Sequence, residues 1–182
     1  MVKNNFKPIL PNEITIKDVG ILERNIFSDE RGFLIETFAG SKETDPSVYS
    51  YSSLVQPGCA KDVDKYHHHK LQQDRFTVVL GKMWVLLFDL RENSLTKGKL
   101  EVVLFEGGDL KNKEKKTTPC FTITIPQGVY HGIKNPASSP AILVNHPTFE
   151  YNPEDEGRTL FSEIPVFSLN NNCFSWDLVE NE

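Results

Sequence analysis

Short runs of apolar and β-branched residues, separated by turn residues, recur along most of the chain and predict strands. No stretch shows the period of an amphipathic helix. Strands that do not alternate with helices are typical of an antiparallel sandwich or barrel. We therefore expect an all-β fold with few helices, a jelly-roll barrel of antiparallel strands. The predicted strands are Gly20 to Ile26, Gly32 to Phe38, Val48 to Val55, Arg75 to Leu80, Lys82 to Leu90, Lys99 to Leu104, Phe121 to Ile125 and Ala141 to His146.

The run from Lys82 to Leu90 is apolar on both faces, whereas a strand with one face in water is apolar on one side only. A second sheet or a partner subunit must therefore cover the outer face, and the second possibility contributes to our expectation of a homodimer. The two sets of alternating side chains are Met83, Val85 and Leu87 on one face and Trp84, Leu86 and Phe88 on the other.

The length of 182 residues and the mass of 20.7 kDa fit one domain over residues 1–182. The net charge of -5 provides no positive field for nucleic acid. The N-terminus lacks an apolar export segment, and the longest apolar run, Met83 to Phe88, is too short to cross a membrane. We expect a soluble cytoplasmic protein with no membrane partner. The lysine-rich segment from Glu106 to Thr118 is predicted to be a solvated loop without a function.

A histidine cluster provides the first candidate chemistry. Within Tyr66 to His69, side-chain alternation along a strand puts His67 and His69 on one face and His68 on the other. Asp74 and Gly81 follow, so the run reads H-x-H-x(4)-D-x(6)-G, which predicts a strand, a turn and an antiparallel partner strand. The turn returns the carboxylate to the imidazole pair.

A second motif delivers another histidine. Pro126 to Asn135 reads P-x-G-x-x-H-x-x-x-N and places His131 at the start of a strand, after a rigid turn. The two histidine motifs together resemble the paired motifs of the cupin superfamily. The resemblance implies that both motifs line one pocket inside the barrel.

Further motifs extend over most of the chain, from about Ile21 to Arg158. The first two read F-x-D-x-R-G-x-L at Phe27 to Leu34 and D-x-R-x-x-S at Asp89 to Ser94. The other two read P-x-G-x-x-H-G at Pro126 to Gly132 and Y-x-P-x-x-E at Tyr151 to Glu156. In this order they resemble the motifs of the dTDP-4-dehydrorhamnose 3,5-epimerase family, with Leu34 in a place that the family fills with an aromatic residue.

The resemblance implies a dimeric cupin enzyme, without a metal or other cofactor, that epimerises a nucleotide-linked 4-keto-6-deoxy sugar in surface polysaccharide biosynthesis. It implies that His67 is the catalytic base and that His131 polarises the keto oxygen. Phe27 and Arg31 are expected on the nucleotide and diphosphate, because aromatic faces stack on bases and guanidinium groups match phosphate oxygens. The full set of expected substrate contacts is Phe27, Arg31, His69, Asp74, Tyr151 and Glu156.

Besides Leu34, three positions depart from the family pattern. Asp64 stands where the family has a phosphate-binding arginine, and Asp74 stands where it has a lysine opposite the developing enolate. An aspartate facing the enolate would oppose its negative charge. The family's catalytic tyrosine falls near Val144, which cannot transfer a proton.

These departures leave two other functions open. In the first, the chain is a metal-dependent cupin enzyme in which His67, His69, Asp74 and His131 bind a divalent transition metal. The aspartate is then an anionic ligand instead of a defect. In the second, the chain is a catalytically inert cupin that binds a sugar nucleotide, and the absence of the family's lysine and tyrosine reflects a loss of catalysis.

Overall fold

The computed structural model describes residues 6–42, 46–109 and 119–180, and in this part of the chain it is built from strands and short 3-10 turns. The all-β prediction is confirmed. The turns are Pro11–Glu13, Phe161–Glu163, Phe167–Leu169 and Trp176–Leu178. The strands are β1 (Gly20–Arg24), β2 (Ile26–Asp29), β3 (Gly32–Ile35), β4 (Tyr51–Val55), β5 (Ala60–Lys61), β6 (Lys65–His69), β7 (Asp74–Leu80), β8 (Lys82–Asp89), β9 (Leu100–Glu106), β10 (Cys120–Ile125), β11 (Val129–Lys134), β12 (Ala141–Asn145), β13 (Glu156–Leu160), β14 (Pro165–Val166) and β15 (Asn172–Cys173).

Two antiparallel sheets form the barrel. The first has the strand order β1-β10-β7-β12-β4, and the second has the order β13-β6-β11-β8-β9, with β5 paired to β11. A core of buried side chains from both sheets fills the space between them, including Val78, Ile123 and Leu143 of the first sheet and Val85 and Val103 of the second. The sheets therefore face each other, as in a jelly roll.

The chain passes from one sheet to the other at Gly81, which connects β7 to β8. Gly81 has a φ of 74°, and a Cβ at this position would lie 2.9 Å from the backbone oxygen of Pro140. Only glycine accepts this backbone conformation and this close approach at little cost. The glycine at the end of the first histidine motif therefore positions β8 in the second sheet, between β11 and β9.

The chain itself covers the outer face of β8. Trp84, Leu86 and Phe88 are buried in a second apolar cluster, beneath side chains that follow β13. The expectation that a second sheet or a partner subunit covers this face is therefore wrong, because the C-terminal segment supplies the aromatic and aliphatic cover. The covering side chains are Phe161, Val166, Leu169, Phe174, Trp176 and Val179.

A separate hairpin of β2 and β3 projects from the barrel and pairs with neither large sheet. Gly108 anchors it, since a Cβ at Gly108 would lie 2.3 Å from the ring of Phe33.

Within the described residues no helix is long and apolar enough to cross a membrane. Most of the lysine-rich loop predicted from Glu106 to Thr118, including all its lysines, lies outside the described residues.

Candidate active site

A cavity of about 210 Å³ lies between the two sheets and contains both predicted catalytic histidines. His67 on β6 and His131 on β11 are directly opposite each other in the antiparallel register, and their ring centroids are 5.1 Å apart. The cavity is lined by Tyr51, Ser53, Lys61, Asp62, His67, Phe76, His131, Gly132, Ile133, Leu143 and Arg158.

The histidine run on β6 alternates as the sequence predicts. The rings of His67 and His69 are 4.7 Å apart on the inner face, whereas His68 points outward and stacks on Tyr130 at 4.1 Å. The two histidine motifs therefore meet at one place, which is what the cupin resemblance implies.

Asp74 comes back to the histidines from the opposite sheet. The prediction that its strand pairs with the histidine strand is wrong, because β7 pairs with β10 and β12, while β6 pairs with β11 and β13. The turn at residues 70–73 crosses between the sheets instead of closing a hairpin. Asp74 Oδ2 nevertheless lies 3.5 Å from Nε2 of His69 and 3.2 Å from Nε2 of His131.

Buried hydrogen bonds fix the Asp74 carboxylate, which is 2% exposed. Its Oδ1 accepts from Nε2 of Gln72 at 2.8 Å and from Nδ2 of Asn145 at 2.7 Å. Burial raises the pKa of Asp74, but the His131 and His69 imidazoles and the Asn145 amide outweigh this effect and lower the pKa below its usual value. Asp74 is thus a buried anion beside His131, and neither it nor His69 lines the cavity.

Asp155, which the sequence reasoning missed, holds the turn that carries Gln72. Its carboxylate accepts from the backbone N–H groups of Lys70, Leu71 and Gln72, and Oδ2 lies 3.2 Å from Nδ1 of His69. The Y-x-P-x-x-E motif, in which Asp155 directly precedes Glu156, could have identified Asp155 from the sequence. Asp155 fixes the orientation of the His69 ring behind the cavity.

His67 is held in its neutral form. Burial, together with the neighbouring His131 and His69, lowers the pKa of His67 to about 3. Nε2 of His67 lies 3.7 Å from Oε2 of Glu156, whose side chain is 8% exposed. A neutral imidazole can accept a proton, and the nearby carboxylate would stabilise the imidazolium that results.

Tyr51 on β4 provides a hydroxyl on the cavity wall opposite His67, and the sequence reasoning missed it. Along β12 the inward side chains are Leu143 and Asn145, so Val144 points outward and the family's tyrosine position has no side chain in the cavity. Asn145 pairs with Tyr51 in the register, and its Nδ2 donates to the Tyr51 hydroxyl at 3.0 Å.

Two cationic side chains, Lys61 and Arg158, line the cavity. The sequence reasoning missed both. Arg158 on β13 lies directly opposite His67 in the register. Its guanidinium pairs with Asp62 at 3.1 Å and with Glu156. Asp64, which replaces the family's phosphate-binding arginine, is exposed and does not line the cavity.

The predicted nucleotide contacts lie elsewhere in the chain. Phe27 and Arg31 line a recess on the β2–β3 hairpin, and 82% of the Arg31 side chain is exposed. Arg31 pairs with Asp29 at 2.5 Å. Tyr151 is also exposed, in the segment before β13. The structure does not bring these three residues into the cavity of their own chain, so their contacts with a nucleotide stay predictions.

The four residues of the metal alternative are close together, and hydrogen bonds from neighbouring side chains hold two of them, His69 and Asp74. Gln72 and Asn145 donate to one oxygen of Asp74, and the other oxygen faces His69 and His131. Among the residues that the structure describes, no group of three or more His, Cys, Asp or Glu side chains is placed to hold a metal ion.

The chain is similar to known proteins over most of its length. The model of the dTDP-4-dehydrorhamnose 3,5-epimerase family matches residues 13–166. A probable low-salt glycan biosynthesis epimerase of Haloferax volcanii is 32% identical over 155 residues, which cover 82% of this chain and 88% of that protein. A spore coat polysaccharide biosynthesis protein of Bacillus subtilis is 33% identical over 134 residues, 72% of this chain and 80% of that protein.

Solved structures have the same fold. A dTDP sugar isomerase from Desulfovibrio desulfuricans gives a TM-score of 0.70 at 22% identity, over 89% of this chain and 92% of that chain. The 3,5-epimerase from Legionella pneumophila, solved in complex with dTDP-4-keto-L-rhamnose, gives a TM-score of 0.67 at 25% identity, over 94% of this chain and 85% of that chain.

Proposed function

Because the chain belongs to the dTDP-4-dehydrorhamnose 3,5-epimerase family, we propose that it is a sugar-nucleotide epimerase of surface polysaccharide biosynthesis. Its substrate is a nucleotide-linked 4-keto-6-deoxy sugar. The relatives from Haloferax volcanii and Bacillus subtilis, both named for glycan or polysaccharide biosynthesis, support the pathway class.

One observation carries the chemistry: a neutral His67 faces a cavity that lies between two sheets. A proton on a carbon next to a ketone is acidic enough for a well-placed imidazole to remove it. His67 is the base in this proposal. Glu156 stabilises the imidazolium that forms, at the 3.7 Å separation of its Oε2 from Nε2 of His67.

Asp74 has a different role from the lysine it replaces. It is buried behind the cavity wall, so its charge acts on His131 instead of facing the enolate. Nδ1 of His131 lies 3.1 Å from the carbonyl oxygen of Val129, and Nε2 lies 3.2 Å from Asp74. Both neighbours are hydrogen-bond acceptors. In this proposal His131, with Asp74 behind it, polarises the keto oxygen.

Lys61 and Arg158 replace the family's phosphate-binding arginine in this proposal. Of the residues that the structure describes, they are the two cations on the cavity wall, and a guanidinium matches the oxygens of a diphosphate. Arg158 lies beside His67, so a bound diphosphate would hold the sugar ring next to the base.

We also propose a homodimer. Among the described strands β4 is an edge strand with Leu54 exposed, and the β2–β3 hairpin exposes Phe27 and Leu34. Exposed apolar side chains beside an unpaired strand edge favour association with a second copy. In such a dimer, Phe27 and Arg31 would be free to contact the nucleotide in the partner's cavity.

The proposed reaction needs no metal. The hydrogen bonds from Gln72 and Asn145 hold one oxygen of the Asp74 carboxylate, and the other oxygen lies beside His69 and His131. Metal analysis of the purified protein tests this point against the metal-dependent alternative. Stoichiometric metal, together with loss of activity on chelation, would favour that alternative.

The decisive experiment follows proton exchange. The protein is incubated in heavy water with 4-keto-6-deoxyhexoses linked to dTDP, UDP or GDP, and mass spectrometry and NMR follow deuterium uptake and configuration. We expect uptake at a carbon next to the ketone, with inversion, and loss of both in His67→Asn. Nucleotide-sugar binding without deuterium uptake across the whole panel would instead favour the inert binding module.

A further inference from the structure

We propose that Tyr51 is the proton donor that completes the epimerisation, in place of the tyrosine that the family carries on β12. This inference rests on the proposed function. The sequence alone offers no such group, because the family's tyrosine position is occupied by Val144, which points out of the cavity.

The first argument is placement. Inversion at a carbon requires that the proton leaves from one face of the sugar and returns to the other. His67 projects from β6 of one sheet and Tyr51 from β4 of the facing sheet, and both side chains line the same cavity. A sugar ring between them would present its two faces to the two groups.

The second argument is the hydrogen-bond pattern around Asn145. The backbone N–H of Arg75 donates to Oδ1 of Asn145 at 2.8 Å, which fixes the orientation of the amide. The amide nitrogen of Asn145 can then only donate, and it does so to Asp74 and to the hydroxyl oxygen of Tyr51. The Tyr51 oxygen is therefore an acceptor in this bond, and its own proton is left to be donated to a ligand.

The third argument is the protonation state. Partial burial and the negative charge of Asp74 together raise the pKa of Tyr51 to about 12. The hydroxyl therefore keeps its proton at neutral pH. It is suited to act as an acid and is unsuited to act as a base.

The two transfers balance. His67 removes the proton from the carbon next to the C4 ketone, and the C–H electron pair becomes the enolate, with its negative charge on the C4 oxygen. Tyr51 then gives its proton to the same carbon from the opposite face, and the enolate electrons form the new C–H bond. The ketone is restored. The phenolate of Tyr51 regains a proton from water, and the imidazolium of His67 releases one to water.

Tyr51→Phe separates the two transfers. In heavy water His67 can still remove a proton and return a deuteron to the same face, so deuterium uptake without inversion should persist. Inversion should fall by about 10²- to 10⁴-fold, the usual contribution of a positioned acid. The matched control is Tyr49→Phe, which removes a hydroxyl from a neighbouring ring that does not line the cavity and should leave both signals unchanged.

Three results would overturn the role of Tyr51. Inversion at the wild-type rate in Tyr51→Phe would exclude it as the donor, and loss of uptake together with inversion would assign it to the base step instead. If Tyr51→Phe fails to fold, fluorotyrosine at position 51 is the second variant, because it keeps the ring and lowers the pKa of the phenol. The alkaline limb of the profile of inversion rate against pH should then shift. An unchanged alkaline limb would also exclude Tyr51 as the donor. Wild-type protein with neither uptake nor inversion would contradict the proposed function itself.

Discussion

Oδ2 of Asp74 lies 3.2 Å from Nε2 of His131, and both side chains are almost completely buried. The pair crosses the barrel, because Asp74 belongs to one sheet and His131 to the other. The pair therefore contributes both to the packing of the two sheets and to the electrostatic environment of the cavity.

Asp74→Asn should destabilise the protein and impair catalysis together. The substitution removes the buried carboxylate beside His131 and puts an amide among N–H donors. Removing one partner of a buried pair costs about 3–5 kcal/mol of the unfolding free energy, which urea denaturation at pH 7 measures. Asp29→Asn is the control, because its ion pair with Arg31 is exposed and should not affect the unfolding free energy. A variant of wild-type stability would show that the carboxylate charge is not needed.

The depressed pKa of His67 should make the protein less stable in weak acid. The folded-state pKa of about 3 lies below the ordinary value of 6.5, so between these values the unfolded chain binds the extra proton. Stability therefore falls as pH drops below 6.5. At pH 5 the loss from this group is about 2 kcal/mol relative to pH 8.

His67→Asn removes that titrating group and tests this origin. Its unfolding free energy should change less between pH 8 and pH 5 than that of the wild type. Asp74 contributes in a lower window, because its depressed pKa gives stability that is lost only as pH falls below about 3.8. Parallel pH curves for wild type and His67→Asn would contradict the assignment.

The sequence predicts the strands that carry apolar residues better than those that carry the site. Each predicted run overlaps a strand, as the run from Lys82 to Leu90 overlaps β8 (Lys82–Asp89), because apolar side chains are buried on one or both faces of the sheets. Strand β13 was not predicted, since Glu156–Leu160 carries Glu, Arg and Thr, and Arg158 lines the cavity. Polar side chains there replace the apolar pattern on which the prediction depends.

The site was partly predictable for the same physical reason. His67 and His131 belong to motifs with fixed spacing, so the sequence identifies them directly. Tyr51, Lys61 and Arg158 reach the cavity only through strand pairing between distant segments, and no local spacing indicates that. The outward direction of Val144 likewise depends on the register of β12 with β4.

Phe174 tests the C-terminal cover of β8. Its ring contacts those of Phe161 at 5.1 Å and Trp176 at 5.3 Å, over the outer face of the second sheet. Phe174→Ala should lower the unfolding free energy by about 3–5 kcal/mol, because it leaves a cavity in that cluster. Phe167→Ala, at a position that is 83% exposed, should change it by no more than about 0.5 kcal/mol. Equal effects of the two substitutions would mean that the cover does not stabilise the barrel.

A homodimer should give a mass of twice 20.7 kDa by light scattering at micromolar concentration. Leu54→Lys, on the exposed side of edge strand β4, should shift the mass toward that of the monomer, because a charge would be buried in the contact. Leu95→Lys, at a position that is 89% exposed in the β8–β9 connection, is the matched control. A monomeric wild type would exclude the dimer.

Arg158 is expected to bind the diphosphate and to take no part in the chemical step. The diphosphate does not change during epimerisation, so its contact with Arg158 is equally strong in the ground state and the transition state. Arg158→Ala should therefore raise KM and leave kcat close to the wild-type value. A hydrogen bond to a charged group contributes about 1.5–3 kcal/mol, which corresponds to a KM increase of roughly 10- to 100-fold. Lys97→Ala removes an exposed cation that pairs with Glu92 outside the cavity and should change neither constant. A fall in kcat at constant KM would contradict this role. It would mean that Arg158 affects the chemical step, through its contact with Glu156, which lies beside His67.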